Sequence, residues 1–231
     1  SIDAVVLSHS HPDHTGGLKG LLAAAGPKPV YAHPDVLGKK YAVTKDLPPR
    51  SLGLPWTAEE TAAMGGQLRL SKGPTELPGG LVITGEITRE YSIEVPSKHF
   101  QRVPEGQTAR TDPPSRDEMV WDPIPDDQSL IIDGDEGFVL VSGCAHSGIV
   151  NTIRHAEKLI GRPMLGFVGG THLVDAGAER LSCTVEALKR SQAEFIAPSH
   201  CTGFRACAAL FHVLGDRYRE NNVGSRIEVE L

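Results

Sequence analysis

The feature that most constrains the fold is a repeated pattern in which apolar, β-branched segments run directly into polar turns that contain histidine. These turns carry His9 with His11, His146, His172 and His200. Short apolar runs of this kind are typical of buried strands. In the second half of the chain they alternate with helix-like segments, which predicts an α/β fold. Because ligands of α/β proteins gather at the carboxyl ends of strands, we expect these histidines to share one crevice.

The first of these turns has the composition of a metal site. Its sequence is Ser8-His9-Ser10-His11-Pro12-Asp13-His14. Side chains two residues apart on an extended segment point to the same face, so His9 and His11 can bind one cation. Asp13 and His14 follow where the strand gives way to a turn and can face the same ion from another side. Imidazole nitrogen and carboxylate oxygen suit zinc, so the segment predicts a Zn2+ site, with Mn2+ or Fe2+ as alternatives.

Three further motifs occupy the later turns. They are Gly143-Cys144-Ala145-His146-Ser147-Gly148, Gly169-Gly170-Thr171-His172-Leu173 and Ser199-His200-Cys201-Thr202-Gly203. The earlier segment of the chain, His9-x-His11-x-Asp13-His14 followed by Thr-Gly-Gly, resembles the first metal motif of the metallo-β-lactamase superfamily. The later motifs resemble the branch named for similarity to 7,8-dihydropterin-6-methyl-4-(β-D-ribofuranosyl)aminobenzene-5′-phosphate synthase. The resemblance implies an αββα sandwich, and because the family's first strands precede the His-x-His motif, we expect the chain to be N-terminally truncated.

The resemblance also implies a set of metal ligands. One ion would be held by His9, His11 and His146. A second ion would be held by Asp13, His14 and His200, with a water or hydroxide between the ions. Asp13 would then contribute to catalysis as well as to binding.

One position departs from the family pattern. Dinuclear members usually carry an aspartate at the end of the strand that here ends in Gly169-Gly170-Thr171-His172. Either His172 or Asp175 moves into that place, or the second site is weak, so the number of ions stays at one or two. We expect His172 to lie close to the metal, as a ligand or as the proton donor to the leaving group. Its alternative role is to orient other groups only.

The remaining organisation predicts a single metallo-β-lactamase-like domain over residues 1–231. Residues 85–127 form its least regular stretch, with prolines from Pro96 to Pro125. A long irregular segment inside a compact domain is usually functional, so we expect an active-site cover, with a disordered insertion as the alternative. The pattern also predicts a capping box at Thr57 and Glu60 and a terminal strand over residues 226–230.

Several side chains near the motifs have two interpretations. Lys39, Lys40 and Arg50 could meet a phosphate, but we expect solvated surface positions. Cys144 and Cys201 each lie within two residues of a motif histidine. We expect them to be small thiols packed beside the site, with soft metal ligation as the alternative.

The composition argues against several classes of protein. The chain is 39% hydrophobic and 23% charged, as in ordinary globular domains. A net charge of −6 without a basic run argues against a nucleic-acid partner. No apolar stretch reaches the roughly 18–20 residues that span a bilayer, so no membrane partner is expected. The cysteine spacing shows no disulfide framework, which favours a cytoplasmic location; the oligomeric state stays open.

These observations lead to three hypotheses. The first is a metal-dependent hydrolase-fold enzyme that directs a metal-activated water at a phosphoester or other ester-like substrate, a small molecule that contains phosphate. The second, implied by the branch name, is a transferase of the dihydropterin/ribofuranosylaminobenzene phosphate synthase type. The third is a non-catalytic fragment that binds metal or ligand. A diiron redox role is disfavoured, because diiron relatives carry Glu where this chain has His11.

Overall fold

A computed structural model describes residues 2–229 of the chain. The strands are β1 (Val5–Val6), β2 (Lys28–Ala32), β3 (Lys40–Ala42), β4 (Arg50–Ser51), β5 (Gly66–Leu70), β6 (Thr75–Leu77), β7 (Leu81–Ile83), β8 (Phe100–Arg102), β9 (Val120–Trp121), β10 (Ser129–Asp133), β11 (Phe138–Ser142), β12 (Met164–Gly170) and β13 (Phe195–Ser199). The α-helices are α1 (Pro12–Thr15), α2 (Leu18–Ala25), α3 (Ala58–Ala63), α4 (Ile149–Ile160), α5 (Ala178–Arg190) and α6 (Phe204–Leu214). None of the helices within residues 2–229 has the length and apolarity that crossing a membrane requires.

The first of two compact units comprises Ser1–Lys72 and Pro96–Asp126. Its parallel sheet has the strand order β1-β2-β5. Leu18 and Leu22 of α2 join Leu7 and Val30 in one buried apolar cluster, so this sheet has a helix-covered core. The second sheet, β4-β3-β8-β9, is antiparallel.

The antiparallel sheet corrects the prediction for residues 85–127. Two strands, β8 and β9, and a 3-10 turn at Arg116–Glu118 lie inside that segment. Each strand has only two or three residues, too few for an alternating pattern to show in the sequence. Residues 96–126 are therefore a structured part of the first unit. Their role as an active-site cover stays a prediction.

The second unit comprises Gly73–Val95 and Asp127–Leu231. Its six-stranded sheet has the order β13-β12-β11-β10-β7-β6. β11, β12 and β13 are parallel to one another, whereas β10, β7 and β6 pair antiparallel. Residues of α4, α5 and α6 share one buried cluster with β11, β12 and β13. The parallel strands thus carry their carboxyl ends to one edge, where the three later motifs begin.

A local signal predicts the start of α3 in the first unit correctly. The Thr57 hydroxyl accepts the Glu60 N–H at 3.1 Å, and the Glu60 carboxylate accepts the Thr57 N–H at 2.8 Å, which confirms the capping box of α3. The predicted terminal strand is wrong over residues 226–229, which form no strand; Glu230 lies outside the described residues. The prediction of a single domain over residues 1–231 stays a prediction.

Candidate metal centre

The first motif begins where β1 ends and closes into the short helix α1. The His9 and His11 side chains are both buried, and their ring centroids lie 4.6 Å apart. The His14 ring approaches His9 to 4.3 Å. The Thr15 hydroxyl donates to the carbonyl of His11 at 3.1 Å, and Pro12, at the first position of α1, has a backbone angle suited to that turn. The predicted histidines of the first unit therefore converge.

The carboxylate of Asp13 lies at the open side of this cluster. Its side chain is 56% exposed, and Oδ2 lies 3.3 Å from His14 Nε2. The structure thus places Asp13 beside His14 in the first unit. Its catalytic role stays a prediction.

Burial holds His11 in its neutral form. Desolvation lowers the pKa of His11 to about 4, and this outweighs the opposing effect of the Asp126 carboxylate. Phe100 packs against the His11 ring with centroids 5.4 Å apart. A neutral imidazole keeps a ring nitrogen lone pair, which metal coordination requires.

A buried charge network supports the same motif. Asp126 accepts the backbone N–H of Ser10 at 2.8 Å and contacts the ammonium group of Lys40. Lys40 Nζ also lies 2.9 Å from a carboxylate oxygen of Asp35 and 4.0 Å from one of Asp122.

The expectation of a solvated Lys40 is therefore wrong. Lys40 is 1% exposed, whereas Lys39 and Arg50 are exposed as expected. Sequence reasoning missed Asp122 and Asp126, because their partners are distant in sequence. Acidic residues immediately before the apolar β10 were the one available signal.

Parallel pairing brings the later motifs together at the edge of the large sheet. The register pairs Ser142 of β11 with Gly169 of β12, and Gly170 with Ser199 of β13. His146, His172 and His200 follow these strand ends. The His146 and His172 rings lie 4.2 Å apart.

Cysteines belong to the same neighbourhood of the second unit. Cys144, His146 and His172 offer donor atoms that lie within 4.8 Å of one another, as do Cys144, His200 and Cys201. The Cys201 sulfur accepts the backbone N–H of His172 at 3.3 Å. Hydrogen bonding with Cys144, and then with His172, lowers the pKa of Cys201 to about 4. Both thiols therefore lie close enough for the alternative of soft ligation.

The backbone is strained at each of these turns. Within residues 2–229, the non-glycine residues with positive φ are Ile124 (53°), Ala145 (51°), His172 (45°) and His200 (53°). Three of them lie in or next to a histidine motif of the second unit. Such conformations cost on the order of 1–3 kcal/mol each and cluster at functional sites.

Close packing explains the missing strand-end aspartate. A Cβ atom on Gly170 would lie 2.4 Å from the carbonyl oxygen of Gly143 and 2.8 Å from the sulfur of Cys201. A Cβ on Gly169 would lie 2.1 Å from the carbonyl oxygen of Ser142. Neither position accommodates a side chain. Asp175, the other candidate for this place, is exposed, whereas His172 lies beside His146.

Two buried carboxylates fix the turn that follows His146. Asp127 accepts the N–H of Ser147 at 2.8 Å. Glu94 accepts the N–H groups of Val150 and Asn151 at 3.1 and 2.9 Å, and so caps the start of α4. Desolvation raises the pKa of both Asp127 and Glu94. Neither carboxylate was predicted from the sequence.

The predicted ligands therefore gather separately in each unit. His9, His11, Asp13 and His14 lie together in the first. His146 and His172 meet in the second, and His200 joins Cys144 and Cys201 there. That donors from both units bind the same ions stays a prediction.

Comparison with known proteins agrees with these motifs. Residues 1–200 match the model of the metallo-beta-lactamase superfamily. The 7,8-dihydropterin-6-methyl-4-(beta-D-ribofuranosyl)-aminobenzene-5'-phosphate synthase of Methanocaldococcus jannaschii is 34% identical over 208 residues, which cover 89% of this chain and 68% of that protein.

Two solved structures resemble the fold. A metal-dependent hydrolase of the beta-lactamase superfamily superposes with a TM-score of 0.81 at 25% identity and covers 97% of this chain and 78% of that one. Zinc-bound PqqB from Methylobacterium extorquens gives a TM-score of 0.53 at 14% identity, over 99% and 73% of the two chains, and shows the fold alone. These matches confirm the predicted α/β fold class of the metallo-β-lactamase type. The chain belongs to the metallo-beta-lactamase superfamily.

Proposed function

We propose that this protein is a metal-dependent enzyme that hydrolyses a phosphoester or another ester-like bond in a small molecule. The observation that carries the proposal is the strained, histidine-bearing turn at the end of β11, β12 and β13. Backbone strain of this kind persists only where surrounding structure maintains it. Three such turns at one sheet edge, each with a histidine, favour a functional site over a packing role.

The donor chemistry fits a divalent metal. The first motif offers the neutral, buried imidazole of His11 with His9 and His14 beside it, and the second unit offers imidazoles with thiols beside them. Nitrogen and sulfur donors are those that Zn2+ favours. When bound, a divalent metal lowers the pKa of a coordinated water from about 15.7 to about 7, which supplies a nucleophile at neutral pH. One or two Zn2+ ions are part of the proposal, with Mn2+ or Fe2+ as alternatives.

Individual residues then take separate roles. We assign His9, His11 and His146 to one ion and His14 and His200, with Asp13, to a second. His172, next to His146, would hold a proton at a ring nitrogen and deliver it to the leaving group. We also propose a cytoplasmic location, for which the cysteine spacing is the sole support.

Group transfer is the second candidate, because the 34% identical relative is a synthase by name. A transferase would stabilise a departing diphosphate instead of directing water at the substrate. Purified protein would be supplied with a 7,8-dihydropterin whose 6-methyl carbon carries the diphosphate that is released, and with the aminobenzene ribofuranosyl phosphate that takes its place at that carbon. Phosphodiester, thioester and lactone substrates would be tested in parallel. Condensation without ester hydrolysis would eliminate the hydrolase, and ester hydrolysis without condensation would eliminate the transferase.

Both candidate functions require a bound divalent metal, so the metal content of the protein tests both. We expect His9→Ala and His146→Ala to lose metal, measured by mass spectrometry, and to lose activity. His172→Ala should keep most of the metal and lose activity if His172 is a proton donor. His212→Ala, on the exposed face of α6, is the matched control. Less than one ion per molecule in the unaltered chain, with no effect of His146→Ala, would leave only the non-catalytic hypothesis.

A further inference from the structure

Two carboxylates that are adjacent in sequence each hold the backbone of a different histidine motif. Asp126, in the first unit, accepts the N–H of Ser10, which lies between His9 and His11. Asp127, in the second unit, accepts the N–H of Ser147, which follows His146. Both hydrogen bonds are 2.8 Å long. Asp126 is 1% exposed and Asp127 is 2% exposed.

The Asp126 carboxylate is kept ionised by Lys40. Although burial opposes ionisation, the contact with the Lys40 ammonium group holds the pKa of Asp126 below its ordinary value. Hydrogen bonds from backbone N–H groups to an ionised carboxylate are shorter and stronger than those to neutral acceptors. The Ser10 amide, and with it the peptide between the two histidines, is therefore held firmly.

Asp127 anchors its motif through more than one amide. Its carboxylate interacts with the backbone N–H of His146 as well as with that of Ser147. The hydroxyl of Ser147 accepts a further hydrogen bond from Arg89 at 3.0 Å. Because Ala145 has a φ of 51°, the turn into His146 needs such restraint to keep its conformation.

We propose that Asp126 and Asp127 are positioning residues that set the orientation of the histidine donors, each within its own unit. Each carboxylate accepts an amide directly beside a donor histidine, so a change at the carboxylate acts on the backbone that carries that histidine. The two carboxylates belong to consecutive residues of the chain. The proposal rests on the proposed function, since it presupposes that these histidines bind metal.

The test uses Co2+ as the probe, because its visible absorption reports the geometry of its ligands. The chain of residues 1–231 is loaded with Co2+, and spectra and dissociation constants are compared for Asp126→Asn and Asp127→Asn. An amide in place of the carboxylate keeps one acceptor oxygen but loses the charge. Loss of such supporting contacts typically weakens metal binding about 10- to 100-fold. We expect a loss of that size together with a shifted Co2+ spectrum in each variant.

Matched controls and a second variant separate positioning from folding. Asp117→Asn and Asp135→Asn replace exposed aspartates of the first and second units and should leave the spectrum unchanged. Asp126→Glu keeps the negative charge beside Lys40 but moves the oxygen by one methylene. It should therefore stay folded by circular dichroism and still shift the spectrum.

The outcomes distinguish failure of the positioning role from failure of the proposed function. If the unaltered chain binds Co2+ and the folded Asp126 and Asp127 variants match its affinity and spectrum, the positioning role is wrong while the metal site stands. If the unaltered chain binds no Co2+, the proposed function is wrong and the positioning role is wrong with it.

Discussion

Replacement of Lys40 by methionine should show how strongly the stability of the first unit depends on this one buried cation. Methionine matches the length of the aliphatic stem, so the change removes charge while most of the packing is kept. It leaves the Asp126 carboxylate, whose side chain is 0% exposed, and that of Asp122, 1% exposed, without their shared cation. The Arg102 guanidinium lies 2.6 Å from a carboxylate oxygen of Asp35 but as far as 4.0 Å from one of Asp122. It can therefore replace the lost positive charge of Lys40 only in part.

The expected loss is large. Removing one partner of a buried ion pair costs about 3–5 kcal/mol, because the other charge stays buried and uncompensated. Native domains are stable by only about 5–15 kcal/mol. With a urea m-value of about 2–3 kcal/mol/M, the midpoint of unfolding should fall by roughly 1–2.5 M. Equilibrium urea denaturation followed by circular dichroism measures this change.

The loss should also depend on pH with a defined sign. In the unaltered protein the pKa of Asp126 is lowered, so its stabilising effect is present above its ordinary pKa and is lost as pH falls through the lower folded value. Without Lys40, desolvation dominates and the pKa of this carboxyl rises. The folded variant then takes up protons more readily than the unfolded chain, so the deficit should shrink as pH falls from 7 to 4. Lys40 itself has a raised pKa, and its contribution is constant below about 10.5.

Lys39→Met is the matched control, since Lys39 is the exposed neighbour of Lys40. It should change the free energy of unfolding by no more than about 0.5 kcal/mol. Adding Asp126→Asn to the Lys40→Met variant should recover part of the stability, because it removes the unpaired charge. Equal effects of the two lysine substitutions, or a deficit that grows towards acid pH, would show that Lys40 does not neutralise the buried carboxylates of Asp122 and Asp126.

Two further predictions concern the start of α4. Gly148→Ala should destabilise the chain by clearly more than Gly161→Ala in urea unfolding. Both glycines have positive φ, but of the two only Gly148 would place a Cβ against another group, 2.2 Å from Glu94 Oε2. Equal losses of stability would contradict this steric argument. For Glu94, burial raises the pKa, so the folded state retains a proton more readily and its stability falls as pH rises through that pKa. Glu94→Gln should remove this pH dependence. The free energy of unfolding of the Gln variant, minus that of the unaltered chain, should therefore increase between pH 4.5 and 7 in paired urea titrations. A constant or decreasing difference would count against a buried, desolvated Glu94.

Elements with a local signal were predictable. The capping box at Thr57, the helix over Ile149–Ile160 and the antiparallel pair β10 and β11 all follow from residues close in sequence. The first metal motif is equally local, because its histidines and Asp13 lie within one short segment. The prediction failed at the terminal strand over residues 226–229 and at β8 and β9, since strand pairing depends on partners that the sequence of a short segment does not reveal.

The α/β fold class, the histidine turns at strand ends and the chemistry that those turns can support were predictable from the residues alone. Each depends on residue type and short-range spacing. The burial of Lys40 among carboxylates, the hydrogen bonds from the histidine turns to Asp126 and Asp127, and the lack of space for an aspartate at Gly170 emerge only in the folded chain. Burial, ion pairing and steric contact are set by groups far apart in the chain, so no short segment encodes them. A lysine that is ordinary in sequence becomes a structural cation once folding surrounds it with acids.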